Sequence, residues 1–341
     1  MKKKLLIGIT MGDPAGVGPE VAVKGVSIKR VRAACAPVIF GSYEIIKRYA
    51  KRYVKNARVE KVLSFNNLKN SPEVINVYPS TVLDHKKVII GRLNKISGKM
   101  AAESLVSAAK MVLSKKIAAL VTAPLTKKGL FLAGFKFRGH TEFLATLSRT
   151  KDYAMMFISP ELKVALVTTH LPLSQVSKTL TPNKIRIKIE LAHRMLKEAF
   201  GIRNPKIAVC GLNPHAGEET LLGVEDRKIV LPAVRSAQRK GLKVFGPIPA
   251  DSAFSPGVSS NYDCIVAMYH DQGIIPLKTR GLGNAVNLTW GLPFIRTSPD
   301  HGTAFNIAGR GKANSAGMVN AIILAAQLTR EIENLKLKKK N

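Results

Sequence analysis

Short apolar runs alternate with longer helical patterns along the chain. Runs rich in β-branched residues begin with LLIGIT and recur as AALVTA, KVALVTT, KIAVCGL and CIVAMY. Helical periodicity covers 182–200, 227–240 and 317–336, and Gly201 stops the first of these helices. The apolar runs are continuous rather than alternating, which is typical of strands buried on both faces of a parallel sheet. The pattern therefore predicts an α/β fold with helices on both sides of mostly parallel sheets.

Three of the apolar runs end in a polar turn that contains a histidine. These turns are VALVTTHLP with His170, IAVCGLNPH with His215 and CIVAMYHDQG with His270. Ligands of parallel α/β sheets bind beyond the carboxyl ends of the strands, so the three imidazoles can converge although they lie far apart in the chain. Three neutral imidazoles would leave a divalent metal open positions for a substrate, and zinc is the first candidate. Each histidine taken alone is more often a satisfied polar residue than a ligand.

A second group of polar residues suits an anionic substrate. They are His140 and Thr141 in RGHTEFLA, Asp251 in PADSAF, Lys278 in IIPLKT, Asn287 in VNLTWG and Arg296 in PFIRTSP. A structural interpretation stays open for each, since Thr141 could cap a helix that begins at Glu142 and Asp251 could cap a turn. His85 and His193 have no comparable context and are interpreted as structural or surface residues.

Two glycine-rich segments stand before predicted helices. The segment 12–20, GDPAGVGPE, has neither the Lys-Ser/Thr of a P-loop nor the third glycine of the dinucleotide fingerprint, so an ordinary Rossmann site is not expected. The segment 299–317, PDHGTAFNIAGRGKANSAG, combines flexible backbone with hydroxyls, amides and cations. Such a loop can hold a ribose or a phosphate, and a plain surface loop is the alternative.

Composition narrows the class of protein. The length of 341 residues favours two domains over one, and the formal charge of +32 fits either a nucleic-acid-binding protein or a lysine-rich surface. The basic residues are spread along the chain, with clusters only at Lys2–Lys4 and Lys338–Lys340 and no basic segment interleaved with aromatic residues, so nucleic acid is not the expected partner.

The cysteines and the apolar segments indicate the expected compartment. Cys35, Cys210 and Cys264 lie far apart without a CxxC pattern, and the last two sit in strand-like runs as small hydrophobes. The amino-terminal apolar stretch is too short for a signal sequence and no run approaches a membrane span, so cytoplasm is expected.

Motifs along the whole chain resemble the 4-hydroxythreonine-4-phosphate dehydrogenase family. The resemblance runs through ITMGDPAGVGPE, GHTEFLA, VTTHLPL, GLNPHAGE, GPIPADSAF, YHDQG, PLKT and AVNLTWGLPFIRTSPDHGTAFNIAG. It implies two α/β/α domains similar to the isocitrate and isopropylmalate dehydrogenases, with the active site in the cleft between them. The implied domains are 1–135 with 280–341, on the NAD(P) side, and 136–279, with the metal ligands and the dimer interface.

The resemblance also implies roles for individual residues. His170, His215 and His270 would bind one divalent metal, zinc first and magnesium or cobalt as alternatives, with ligands drawn from both subunits of a homodimer. His140, Thr141, Lys278, Asn287 and Arg296 would hold the phosphorylated substrate. The stretch HGTAFNIAGRGKAN is similar to the adenosine loop HGSAPDIAGKGIAN of the isocitrate and isopropylmalate dehydrogenases, which implies Gly302, Thr303, Ala304 and Asn314 for NAD or NADP. Pyridoxine 5'-phosphate synthase would take the product.

The expected reaction is oxidation of 4-phosphohydroxy-L-threonine to 2-amino-3-oxo-4-phosphooxybutanoate, which decarboxylates to 3-amino-2-oxopropyl phosphate. Lys278 or Asp251 would take the hydroxyl proton, and the sequence does not choose between them. After NPHAGE the chain reads ETLLGVEDRK, where the family has a further glycine- and histidine-containing stretch. This departure leaves open a four-carbon sugar acid, erythronate or threonate 4-phosphate, as substrate. A metal-dependent hydrolase and a basic nucleic-acid-binding protein are the alternatives from other classes.

Overall fold

The computed structural model describes residues 4–66, 68–71, 73–135, 139–281 and 285–338. Of the two lysine clusters, only Lys4 and Lys338 lie within these ranges. The chain divides into two compact units, Met1–Thr150 with Leu292–Thr329, and Lys151–Gly291 with Arg330–Asn341.

The first unit is built on a parallel sheet. Its described strands are β1 (Leu6–Thr10), β2 (Ala36–Gly41), β3 (Arg58–Lys61), β4 (Val74–Pro79), β5 (Ala119–Thr122) and β12 (Ile295–Pro299). They lie in the order β3-β4-β2-β1-β5-β12, and every neighbouring pair is parallel. Strands β1, β2 and β5 are almost entirely buried, as continuous apolar runs predict.

Helices accompany this sheet at the chain reversals that parallel strands require. They are α1 (Gly18–Val26), α2 (Lys29–Ala34), α3 (Tyr43–Tyr53), α4 (Lys95–Leu113), α5 (Lys127–Leu132) and α6 (His140–Leu147), and α13 (Ala316–Lys338) begins in this unit. Side-chain caps start several of them. Ahead of α4, the Asn94 side chain accepts from the Ser97 N–H at 2.8 Å and the Asn94 N–H donates to Ser97 Oγ at 3.3 Å, which is a capping box.

The second unit has a mixed sheet. Its described strands are β6 (Ala154–Ile158), β7 (Lys163–Leu166), β8 (Lys206–Cys210), β9 (Lys243–Ile248), β10 (Cys264–Ala267) and β11 (Val286–Trp290). In the order β11-β6-β7-β10-β8-β9, the pairs β11/β6 and β6/β7 are antiparallel and the others parallel. The predicted parallel strands are therefore present, and β6 runs antiparallel to both of its neighbours, β11 and β7.

The helices of the second unit include both long and very short elements. They are α7 (Leu173–Thr179), α8 (Pro182–Ala199), α9 (Leu231–Arg239), α10 (Ala250–Ala253), α11 (Pro256–Ser259) and α12 (His270–Gly281). The helix predicted over 182–200 is α8, which Thr181 caps through the Lys184 N–H. Gly201 follows it with φ +69°, a left-handed conformation that suits glycine at a helix end.

The unit boundaries at Thr150 and Gly291 differ from the boundaries at 135 and 279 that the resemblance implies. Strand β11 pairs with β6, which extends the second unit beyond 279. The His140 ring is hydrogen-bonded to the backbone of Ala123, which ties α6 to the first unit. Long-range pairing of this kind is not visible in local sequence.

Helix α3 corrects one expectation about the basic residues. The expectation that no basic segment is interleaved with aromatic residues is wrong, because α3 reads YEIIKRYAKRY. Its cations lie over its own rings, with Lys47 over Tyr43, Arg48 over Tyr49 and Arg52 over Tyr53. A cation of the same helix therefore lies near each of these three rings. That nucleic acid is not the partner stays a prediction.

Two further sequence expectations concern the cysteines and membrane spans. Cys35, Cys210 and Cys264 are buried thiols, and burial raises the pKa of the Cys210 and Cys264 thiols to about 12. Both thiols therefore stay protonated and inert near neutral pH. In the described part of the chain, no helix has the length and apolarity that a bilayer crossing needs.

Candidate active site

The three strands that precede the predicted metal ligands are sheet neighbours. Strand β10 pairs in parallel with β7 on one side and β8 on the other. The bonding between β7 and β10 continues past the strand ends, where the Val167 N–H donates to Ala267 O at 2.9 Å and the Thr168 N–H to Met268 O at 3.1 Å. Since the strands run in the same direction, the segments that carry His170, His215 and His270 leave the sheet at the same edge.

Two of the three imidazoles lie side by side. The ring centroids of His170 and His270 are 5.8 Å apart. Nδ1 of His270 lies 2.7 Å from Oδ1 of Asp271. A carboxylate only accepts hydrogen bonds, so Nδ1 carries the proton and Nε2 keeps its lone pair for a ligand.

His215 lies in a loop with an unusual backbone. From His215 to Thr220 every residue has a positive φ, with values of 52° at His215, 54° at Ala216 and 38° at Glu218. Left-handed conformations cost side-chain-bearing residues about 1–2 kcal/mol each, and strain of this kind is concentrated at functional sites. The surrounding hydrogen bonds must therefore hold the loop.

Asp226 supplies much of that support. Its buried carboxylate accepts from the Leu212 N–H at 2.6 Å, the Asn213 N–H at 3.0 Å and the Asn213 side-chain amide at 3.0 Å. Asp226 therefore fixes the backbone just before His215. Asp226 could not be singled out from sequence, because it stands in the charged run 225–228, EDRK, where an acidic residue is ordinarily solvent-exposed.

Gln272 links the ends of strands β8 and β10. Its Oε1 accepts from the Met268 N–H at 2.7 Å, and its Nε2 donates to Gly211 O at 2.7 Å. One amide thus joins the turn after β10 to the loop after β8. Gln272 was also missed from sequence, although it stands in the YHDQG motif beside His270.

The predicted three-histidine metal site is not assembled among the described residues. Among them, no group of three or more histidine, cysteine, aspartate or glutamate side chains is arranged to hold a metal ion. The structure brings His170 and His270 together and places His215 on the loop after the neighbouring strand. The three-histidine site stays a prediction. His85 lies in a 3-10 turn and His193 on α8, outside this sheet edge.

Three predicted substrate or catalytic residues lie elsewhere in the second unit. Lys278 is exposed on α12, eight residues after His270, and Asp251 is exposed in the first turn of α10. Asn287 lies on β11, and its buried Oδ1 has no hydrogen-bond partner within the described ranges. A buried amide oxygen without a partner costs free energy, so this atom is suited to accept from a bound ligand.

The predicted anion-binding residues of the first unit centre on a buried arginine. Arg296 on β12 is 2% exposed, and its Nε and Nη2 donate to Thr122 Oγ1 at 3.1 and 2.6 Å. Burial lowers the pKa of Arg296 to about 10, and the nearby Glu142 opposes this shift. The guanidinium remains charged at neutral pH, which suits it to a phosphate or carboxylate.

His140 and Thr141 begin the helix that lies beside this arginine. Helix α6 starts at His140 after Gly139, so Thr141 is its buried second residue and does not cap a helix at Glu142. Burial and the charge of Arg296 hold the pKa of His140 well below its usual range, despite a hydrogen bond to the Ala123 backbone. Among the described residues, the buried Nε2 has no hydrogen-bond partner. His140 is therefore neutral, with Nδ1 bonded to the chain and the lone pair of Nε2 available.

The depressed pKa of His140 predicts how stability depends on pH. Below about pH 6.5 the unfolded chain protonates this histidine whereas the folded chain does not, so the unfolded state binds more protons. The free energy of unfolding should fall as the pH drops from about 6.5 toward the folded pKa, by at most about 1.4 kcal/mol per pH unit. His140→Asn should remove this part of the slope.

Urea denaturation of the parent and His140→Asn between pH 8 and pH 5 measures the effect. Burial also lowers the pKa of His193, and because His193 is present in both proteins its contribution cancels in the difference. Parallel stability curves for the two proteins would contradict a neutral buried His140.

The loop predicted for the nicotinamide cofactor, residues 302–314, lies in the first unit. Gly302 is exposed, Thr303 is buried, and Ala304 has a left-handed φ of 42°. Asn314 Oδ1 accepts from the Ala316 N–H at 2.9 Å, at the start of α13. We refer to this segment as the 302–314 loop. Its carboxyl-terminal end leads into a long helix, whose first N–H groups favour an anion.

Comparison with known proteins identifies relatives over nearly the full length. Residues 33–325 match the family model described as pyridoxal phosphate biosynthetic protein PdxA. The D-threonate 4-phosphate dehydrogenase of Salmonella typhimurium is 42% identical over 94% of this chain and 98% of that protein. The 4-hydroxythreonine-4-phosphate dehydrogenase of Sulfurihydrogenibium sp. is 41% identical over 95% of this chain and 98% of that protein.

A solved structure has the same fold. The crystal structure of 4-hydroxythreonine-4-phosphate dehydrogenase from Klebsiella pneumoniae matches with a TM-score of 0.88 and 42% identity, over 96% of this chain and 98% of that one. The predicted α/β fold is thereby confirmed.

Proposed function

Because the chain belongs to the pyridoxal phosphate biosynthetic protein PdxA family, we propose that it is a metal-dependent, NAD(P)-dependent dehydrogenase of a small phosphorylated hydroxy acid. The names of its relatives supply the reaction class. The structural observation that carries the proposal is the pair His170 and His270 at the carboxyl edge of parallel strands, with the tautomer of His270 fixed by Asp271.

The proposed metal ligands are His170, His215 and His270. The donor set fits a divalent transition metal because Nε2 of His270 keeps its lone pair. Zinc is the first candidate, with magnesium or cobalt as alternatives. A metal held by these residues would polarise the oxygen of a secondary alcohol, which favours loss of its proton.

Five residues are proposed to hold the substrate: His140, Thr141, Lys278, Asn287 and Arg296. Arg296 is the anchor for a phosphate or carboxylate, because its guanidinium is already desolvated and oriented by Thr122. The neutral His140 would accept a hydrogen bond from a substrate hydroxyl or ammonium at Nε2. Lys278 adds a second positive charge.

The proposed reaction moves a hydride to the nicotinamide and a proton to the protein. Lys278 or Asp251, both exposed, would take the hydroxyl proton. NAD(P)⁺ bound at Gly302, Thr303, Ala304 and Asn314 would accept the hydride. With 4-phosphohydroxy-L-threonine the product is 2-amino-3-oxo-4-phosphooxybutanoate, and loss of carbon dioxide from this 3-oxo acid gives 3-amino-2-oxopropyl phosphate.

A second candidate substrate remains because the relatives of this chain carry the names of two different dehydrogenases. D-threonate 4-phosphate dehydrogenases and 4-hydroxythreonine-4-phosphate dehydrogenases match this chain at nearly the same identity. The segment ETLLGVEDRK, which departs from the family motif, begins in the strained loop that carries His215. We propose 4-phosphohydroxy-L-threonine as the first substrate, with threonate or erythronate 4-phosphate as the rival.

We further propose a homodimer in which both subunits contribute to the active site. Each histidine segment is followed by an exposed large apolar residue, namely Leu173, Leu221 and Ile275. Apolar side chains beside a polar site are typical of a surface that another chain covers. Sedimentation velocity tests the dimer. Pyridoxine 5'-phosphate synthase is the proposed recipient of the aminoketone.

The decisive experiment follows the absorbance of reduced cofactor with NAD or NADP and a divalent metal. The substrates are 4-phosphohydroxy-L-threonine, D-threonate 4-phosphate and erythronate 4-phosphate, each with a chelated control. Metal-dependent reduction with the threonine compound is the expected result, and a higher kcat/KM for a sugar acid would select the rival. Turnover without NAD(P) would indicate a hydrolase, and no reduction with any substrate would refute the proposal.

A further inference from the structure

The glycine-rich segment 12–20 and helix α1 have no role in the proposed chemistry. The segment lacks both nucleotide-binding patterns, yet it packs against the 302–314 loop. Gly16 lies so close to this loop that a Cβ would stand 2.6 Å from Thr303 O. The neighbouring Val17 N–H donates to the same oxygen at 2.9 Å. The missing side chain therefore allows two backbone segments to touch, which is different from cradling a phosphate.

An ion pair on α1 holds the other end of the loop. Glu20 is 0% exposed, and its Oε1 accepts from Lys24 Nζ at 2.7 Å and from the Ala313 N–H at 3.0 Å. Lys24 Nζ also donates to Gly311 O at 2.8 Å and Ala313 O at 3.1 Å. An ammonium group has three donors, and Lys24 uses them on one carboxylate and two loop carbonyls.

Tyr53 on α3 adds a further contact to the same stretch of loop. Its hydroxyl donates to Gly309 O at 2.8 Å, and Lys24 Nζ lies 5.2 Å from the centre of its ring. A Cβ on Gly311 would stand 3.0 Å from a ring carbon of Tyr53. The irregular backbone at 309–313 is thus satisfied by side chains from two helices, in place of a regular hydrogen-bond ladder.

We propose that α1 and the glycine-rich segment before it fix the 302–314 loop in its cofactor-binding conformation, with Glu20 and Lys24 as positioning residues. The proposal rests on the proposed function, in which this loop binds NAD(P). A buried ion pair contributes little net stability of its own, because desolvation offsets its attraction. Here the remaining hydrogen bonds of the pair go to Gly311 and Ala313, which lie within three residues of the proposed ligand Asn314. A loop that is already ordered loses less conformational entropy when the cofactor binds.

The double variant E20Q/K24M tests the ion pair without leaving one buried charge unpaired. We expect hydrogen exchange at the amides of 309–314 to accelerate by about tenfold or more, and KM for the cofactor to rise about tenfold. At saturating cofactor, kcat and KM for the hydroxy acid should stay within about twofold. Tyr53→Phe, which removes only the bond to Gly309, should shift exchange and cofactor KM in the same direction by less.

The control is Glu190→Gln in the second unit. Glu190 accepts from Arg186 Nη1 at 2.7 Å in another i,i+4 pair, and from Lys240 Nζ at 2.7 Å. This variant should change neither the loop exchange nor the cofactor KM.

The outcomes separate this proposal from the proposed function. If the parent binds neither NAD nor NADP, the proposed function fails and the positioning role fails with it. If the parent binds cofactor and both E20Q/K24M and Tyr53→Phe keep its KM, only the positioning role is refuted. An equal loss of kcat in every variant, including the control, would also contradict the positioning role, because misfolding and not a change in the loop would then explain the result. Should the double variant fail to fold, Tyr53→Phe alone decides.

Discussion

Replacing His270 with alanine is expected to lower kcat/KM for the phosphorylated hydroxy acid by about a thousandfold or more. The ring centroids of His270 and His170 are 5.8 Å apart. Both predicted ligands lie at the edge where their segments leave the sheet. Loss of either ligand weakens metal binding, so His170→Ala should lower kcat/KM to a similar extent. The double variant should be scarcely worse than either single one, because residues that act as a unit are not additive.

Bound metal and turnover are measured together on these variants. Metal content after dialysis and the absorption spectrum of the cobalt form report the site, and steady-state kinetics report the chemistry. Asp271→Asn should lower metal affinity or activity by about 10- to 100-fold, because it removes the carboxylate that fixes the His270 tautomer but keeps the His270 imidazole. His193→Gln is the matched control on α8 and should leave both readouts unchanged. Full metal content and activity in His270→Ala would refute the metal site.

The sequence was sufficient to predict the sheet edge that carries the histidines. Continuous apolar runs identified β7, β8 and β10, and the parallel pairing of these three strands follows from their burial on both faces. The position of His170, His215 and His270 after the strands then required only the rule that parallel strands end at a common edge. The antiparallel pairing of β11 with β6 was not predicted, because it joins segments more than a hundred residues apart.

The residues that support the site could not be predicted in the same way. Asp226 holds the loop before His215 through backbone atoms of Leu212 and Asn213, and Lys24 reaches a carbonyl 287 residues further along the chain. Such contacts are set by packing between elements, and they leave no periodic signal. The left-handed run that begins at His215 has the same origin, since no local preference favours positive φ at side-chain-bearing residues. Local rules identified the candidate residues, and tertiary contacts determine where these residues lie.

Arg296→Met is expected to raise KM for the phosphorylated substrate by about a hundredfold, with a smaller change in kcat. The guanidinium is buried, keeps its charge at neutral pH, and is oriented by two hydrogen bonds to Thr122 Oγ1. A desolvated and oriented cation binds a charged ligand more strongly than an exposed cation does, and a charge-assisted hydrogen bond contributes about 2–3 kcal/mol. Arg296→Lys should recover little, because an ammonium lacks the planar fork that contacts Thr122 and an anion together.

The test compares the phosphorylated substrate with its dephosphorylated analogue in the parent and in both Arg296 variants. If Arg296 binds the phosphate, the parent's discrimination between the two compounds should collapse in Arg296→Met, whereas binding to the carboxylate would weaken both equally. Thermal unfolding shows whether each variant remains folded, and Arg186→Met removes a partly exposed arginine that pairs with Glu190 as the control. An unchanged KM in a folded Arg296→Met protein would exclude the arginine from the substrate site. The buried guanidinium would then have to be explained by a structural role, which includes its hydrogen bonds to Thr122 and its attraction to Glu142.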